Sequence, residues 1–191
     1  MKLVLRLLLG IVGLVAIFLG VRQFMTGVGQ LSGKAPATQA QTVGETFTAS
    51  DGTYSYRVPK GWEQKAGPQP GLTMFVAPKE SGYAANIVTS VESFAEPVRA
   101  YADANLKAVQ AAFPDSKILT DAKFATDSNA PSYKVKFQNK TKDTDLMQTM
   151  YFFEGRADQK IAVTCTAPLK QGPELESLFD ACMKSFAIPK G

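Results

Sequence analysis

The sequence predicts an α+β domain in which an antiparallel β-sheet is sandwiched by helices, carried behind an N-terminal transmembrane helix. Three observations point there. Short alternating β segments are followed by one helical period, four further strands and a second helical period, an order that suits an antiparallel α+β sandwich rather than a βαβ repeat. The first 26 residues are apolar apart from a few flanking polar groups, and Gly27 to Thr42 reads GVGQLSGKAPATQAQT, a polar tether. The division is therefore a transmembrane signal-anchor over 1–26, a flexible linker over 27–42 and one folded domain over 43–191.

Leu3 to Met25 reads LVLRLLLGIVGLVAIFLGVRQFM. The uncharged run Leu7 to Val21 covers only ~22 Å as a helix, but Arg6 and Arg22 can snorkel and extend the span to ~35 Å, enough for a ~30 Å hydrocarbon core. A cleaved signal peptide is the competing reading, because Lys2 and Arg6 form a positive n-region. No small-residue cleavage site follows Val21, and the nearest A-x-A, Ala35-Pro36-Ala37, lies too far on, so the residues favour an uncleaved anchor. Lys2, Arg6 and the amino terminus tip the orientation toward an N-terminus inside and a domain outside the cytoplasm. This places the protein at the inner (cytoplasmic) membrane with its domain in the periplasm, the lipid bilayer as its first partner and a membrane or envelope protein as its second. Gly10, Gly13, Ala16 and Gly20 fall on one helical stripe where another helix could approach, although small residues are common in membrane helices generally.

The 21 Lys and Arg against 17 Asp and Glu give a net charge of +4 and a pI near 9.0. Lys2, Arg6 and Arg22 supply most of that excess: 21 − 3 leaves 18 basic groups against 17 acidic ones. A nearly neutral domain carries no nucleic-acid footprint. Histidine is absent, which excludes Ser-His-Asp and Cys-His chemistry and the commonest metal ligand. No Gly-rich phosphate loop or G-x-S-x-G elbow calls for a cofactor or an esterase mechanism.

Within the domain, Tyr54, Tyr56 and Val58 alternate with polar residues, and Pro59-Lys60-Gly61 turns the chain toward Trp62, the only tryptophan. After a Gly-Pro loop at 67–71, Leu72 to Val76 and Tyr83 to Val91 read as further strands of the same antiparallel system. Ser93 and Glu96 form an S-x-x-E capping box ahead of a helix whose Val98, Ala102, Leu106, Val109 and Phe113 share a face, and Pro114 stops it. Lys117 to Thr126, Pro131 to Asn139, Asp145 to Glu154 and Lys160 to Thr166 follow as four strands. The second alternates cleanly, Tyr133, Val135 and Phe137 against Lys134, Lys136 and Gln138, while the third is apolar at both parities and reads as central. A last helix begins at Pro173 and aligns Leu175, Leu178, Cys182 and Phe186.

Cys165 on the last strand and Cys182 on the last helix both point into the layer between them. A disulfide is open to them in an oxidising compartment, where it would stabilise by about 3 kcal/mol in the chain-entropy model; two buried free thiols are the equal alternative. Without a histidine, neither is a nucleophile. The run Lys140 to Asp145, with its Asp-x-Asp pair, reads as a solvated hairpin tip because it lacks the oxygen count of a cation loop.

Set against this order of elements, Tyr54-Ser55-Tyr56-Arg57-Val58-Pro59-Lys60-Gly61-Trp62, an aromatic strand running into P-x-G-W, resembles the PsbP and DcrB-like domains over roughly residues 43–189. The resemblance implies an α/β/α sandwich used as a non-enzymatic binding or accessory module, in a group that includes photosystem extrinsic subunits, periplasmic DcrB-type proteins and Eag-type secretion chaperones. The chain departs from DcrB-type lipoproteins in having no lipid-bearing N-terminal cysteine. Three functions follow as expectations. The first is an interaction protein supporting an envelope process or membrane complex. The second is a chaperone-like or lipid-handling module, which requires an exposed apolar cleft of several hundred Å2. The third is a carboxylate-dependent hydrolase, which requires two acids converging in a pocket.

Overall fold

The computed structural model describes residues 42–78, 83–140 and 144–189. The segment assigned to the membrane, with its stripe Gly10, Gly13, Ala16 and Gly20, and the linker up to Gln41 lie outside the described residues. Among those described, no helix is long and apolar enough to cross a membrane.

The described residues form nine strands and two α-helices, in the predicted sequence of strands, helix, four strands and helix: β1 Val43–Thr48, β2 Ser55–Pro59, β3 Glu63–Ala66, β4 Thr73–Val76, β5 Asn86–Ser93, α1 Val98–Ala112, β6 Lys117–Lys123, β7 Ser132–Lys140, β8 Asp145–Glu154, β9 Gln159–Pro168 and α2 Gly172–Lys184. Seven strands make one antiparallel sheet in the order β3-β4-β5-β9-β8-β7-β6. β8 and β9 are central, and β8 is buried on both faces, as its apolar residues at both parities predict.

The expectation of one continuous sheet fails for β1 and β2, which form a separate two-stranded sheet. Gly61, at φ +79°, turns the chain out of the hairpin and into the large sheet, a conformation that glycine adopts without strain. The hairpin then packs with α2 as a layer over one sheet face. Tyr54 stacks on Phe186 and Phe186 on Phe153 at 3.7 Å, while Trp62 meets Phe179 of α2 edge-on at 6.0 Å. The P-x-G-W turn thus delivers its tryptophan into the α2 layer. A strand at β3 is also unexpected, since all four of its side chains are exposed and give no apolar alternation.

α1 covers the opposite face, burying Val98, Tyr101, Ala102 and Val109 against Val135, Met150 and Phe152. Its predicted capping box does not form. Ser93 remains in β5, paired with Gln159, and its hydroxyl bonds Asp158. Pro97 disfavours helical backbone at Glu96, so the helix starts one residue after the proline. α2 buries Leu175, Leu178 and Cys182 as predicted, and Phe186 is buried just past its end. Its flank is tied to β7 by Lys134, whose Nζ reaches Asp180 at 2.7 Å and Glu176 at 2.9 Å, and by Lys136, which also bonds Glu176. Tyr151 donates to Asp180 at 2.6 Å.

Candidate functional site

Register alone builds the site. On the α1 face, the β8–β9 hairpin sets Glu154 opposite Lys160, and β9 pairs Lys160 with Glu92 of β5, so three charged residues form a row across three strands. Lys160 is buried to 1% exposure, which demands compensation for its charge. Its Nζ donates to Glu154 Oε1 at 2.7 Å and to the Phe94 carbonyl at 2.8 Å. The other carboxylate oxygen of Glu154 accepts the Val98 amide at 3.0 Å, so this side chain fills the N-terminal capping role predicted for Ser93. β9, β8 and the start of α1 are thereby locked at one point.

Above this lock lies an open depression of 610 Å3, with Lys160 and Glu154 among its lining and Pro97, Pro131 and Tyr133 contributing apolar wall. Asp158 borders it from the β8–β9 turn, where its carboxylate accepts the Ser93 hydroxyl at 2.9 Å and its carbonyl accepts the Phe94 amide. Ala157, also on the rim, sits at φ +50°, a left-handed conformation that costs a residue with a Cβ about 1–2 kcal/mol. Arg99 lies over the Tyr133 ring at 5.2 Å and is held by Asp103 and Asp121, whose hydrogen bonds push its guanidinium pKa still higher.

Glu92 occupies the third place in the row but does not line the depression. Burial pushes its carboxyl up to about 6, against smaller lowering effects of Tyr101 and Ser90. The Tyr101 hydroxyl beside it is buried and makes no hydrogen bond of normal geometry among the described residues. The two acids that do line the depression, Glu154 and Asp158, are engaged as acceptors for an ammonium, a helix amide and a hydroxyl. That arrangement fixes the position of both side chains at the rim of the depression. Among the described residues no group of three or more His, Cys, Asp or Glu is placed to hold a metal ion.

The two cysteines lie elsewhere, in the core between β9 and α2, and both are free thiols in this structure. Burial pushes Cys165 well up, with Cys182 adding to the rise, and pushes Cys182 up to about 12, so neither forms a thiolate near neutrality. The hairpin tip at Lys140 to Asp145 falls largely on 141–143, outside the described residues. Sequence reasoning missed the Glu92, Lys160 and Glu154 row. A readable clue existed: Glu154 and Lys160 stand three residues to either side of Ala157 in the hairpin turn and so face each other.

A family model, DcrB, matches residues 55–185. Among solved structures, PA94 of Pseudomonas aeruginosa, a protein of unknown function, is 18% identical, with a TM-score of 0.54 over 80% of this chain and 99% of its own. The CyanoP form of PsbP from Synechocystis is 14% identical, with a TM-score of 0.55 over 84% of this chain and 100% of its own. The Ran-binding protein Mog1p of Saccharomyces cerevisiae is 9% identical, with a TM-score of 0.54 over 75% of this chain and 94% of its own. At these identities the likeness is one of fold. No curated protein matches the chain.

Proposed function

The chain belongs to the DcrB family, and from that premise we propose that it is a membrane-tethered, extracytoplasmic accessory protein, non-enzymatic, supporting an envelope process or a membrane complex at the inner membrane. The observation that carries this reading is the uncharged run Leu7 to Val21 between Arg6 and Arg22, joined through a polar linker to a domain with an apolar core on each face of its large sheet. The domain offers a partner the open depression at the start of α1, rimmed by fixed charges and by Tyr133, Pro97 and Pro131. The chaperone-like reading needs a broad apolar cleft, and among the described residues Leu119 is the one large apolar side chain exposed, at 47%. No observation therefore favours that reading over the first.

A reporter enzyme that is active only outside the cytoplasm, fused to the C-terminus of the full-length chain, tests the placement. The proposal expects reporter activity in an alkali-resistant membrane fraction. An inactive reporter, or a fusion released by alkaline washing, would remove the tether from the account.

A further inference from the structure

The large sheet ends in two edges of different character. β6 carries a bulge between Ile118 and Thr120, so its side chains change face partway along and a second copy of the same strand cannot match it throughout. β3 has four residues in unbroken register with β4, and all of them are exposed.

The charges of β3 suit one partner. Glu63 and Lys65 stand two residues apart and so share a face, with Gln64 between them on the other. An antiparallel copy centred on Gln64 sets Glu63 against Lys65 of the partner subunit and Lys65 against Glu63 of the partner subunit. Sliding the copy by two residues either way places Glu63 against Glu63 of the partner subunit or Lys65 against Lys65 of the partner subunit, which is repulsive. Sliding it by one turns every side chain to the wrong face. The same two charges thus favour a single register and penalise its neighbours. In one copy Lys65 and Glu63 contact each other, but their side chains are 47% and 70% exposed and so are free to pair across an added strand.

We propose that β3 is a self-pairing edge, at which a second copy of this chain adds antiparallel about Gln64 and joins the two sheets into one. The geometry is that of an isologous two-fold contact. It requires nothing of the membrane segment.

Gln64→Cys in the purified full-length chain tests it. Residues directly opposite in an antiparallel pair have Cα atoms about 4.5–5.5 Å apart, within disulfide reach. The native cysteines are both buried and do not compete. Mild oxidation is expected to give a covalent dimer on a non-reducing gel. Adding Glu63→Lys or Lys65→Glu replaces both attractions with repulsions and is expected to weaken pairing about tenfold. Mixing those two variants restores opposite charges at both positions and is expected to restore the crosslink. No covalent dimer, or one that is indifferent to the charge changes and to mixing, would overturn the proposal. Association through the N-terminal segment belongs to that second outcome, because it does not depend on these charges.

Discussion

Replacing Glu92 with glutamine isolates the half-buried acid of the row, which makes no ion pair among the described residues. Its carboxyl ordinarily titrates near 4.5 and is pushed up to about 6 in the fold, chiefly by burial. At ~1.36 kcal/mol for each tenfold in proton affinity, that rise is a difference of about 2 kcal/mol between its protonated and charged forms. The folded state binds the proton more tightly than the unfolded chain, so this stability is fully present below pH 4.5 and is lost as pH rises through 6. Glutamine keeps the shape and never charges. The difference in unfolding free energy between Glu92→Gln and the parent should therefore be near zero at pH 4 and grow to about 2 kcal/mol in favour of the variant at pH 7. Urea unfolding of the full-length chain across that range, followed by circular dichroism, reads it directly; taking the difference cancels the other titrations. Parallel curves for the two proteins, or a variant that is less stable at pH 7, would refute the argument.

Lys160→Met removes a charge that is 1% exposed and strands Glu154 at the helix start; chemical unfolding should show a loss of about 3 kcal/mol, largely recovered when Glu154→Gln is added. Ala157→Gly relieves a left-handed alanine and should stabilise by about 0.5–1 kcal/mol, whereas Gly61→Ala, at φ +79°, should destabilise by about 1–2 kcal/mol; thermal melts compare the pair. In the folded protein neither Cys165 nor Cys182 should react with a thiol reagent, and both should label after unfolding without reductant; failure to label then would mean that the two are bridged.

Much of this architecture is legible locally. The alternation of β7 and the 3.6-residue periods of α1 and α2 each record which face meets the core, and β8 betrays its central place by being apolar at both parities. What local pattern cannot supply is a choice among partners. Tyr54 and Tyr56 look alike whether their strand joins the main sheet or a separate hairpin; only the stack of Tyr56 on Tyr54 and of Tyr54 on Phe186 distinguishes the two. Ser93 and Glu96 satisfy the spacing of a capping box, yet Ser93 is claimed by the ladder with Gln159 and Pro97 delays the helix, leaving the Val98 amide to a carboxylate 56 residues away. Lys134 and Lys136 read as one polar face of a strand. They meet Glu176 and Asp180 of α2, a pairing that depends on where the helix docks. The edge strand β3 is invisible because its order comes from β4 rather than from any apolar side chain of its own.

Photocrosslinking from Tyr133, on the wall of the depression, tests the central claim most directly. A photoreactive residue is placed there in the full-length chain and activated in intact bacterial membranes. The account predicts a discrete adduct with a membrane or envelope protein, lost when residues 3–25 are deleted and the domain is released from the bilayer. No adduct, or an equal yield of the same adduct from the released domain, would contradict it.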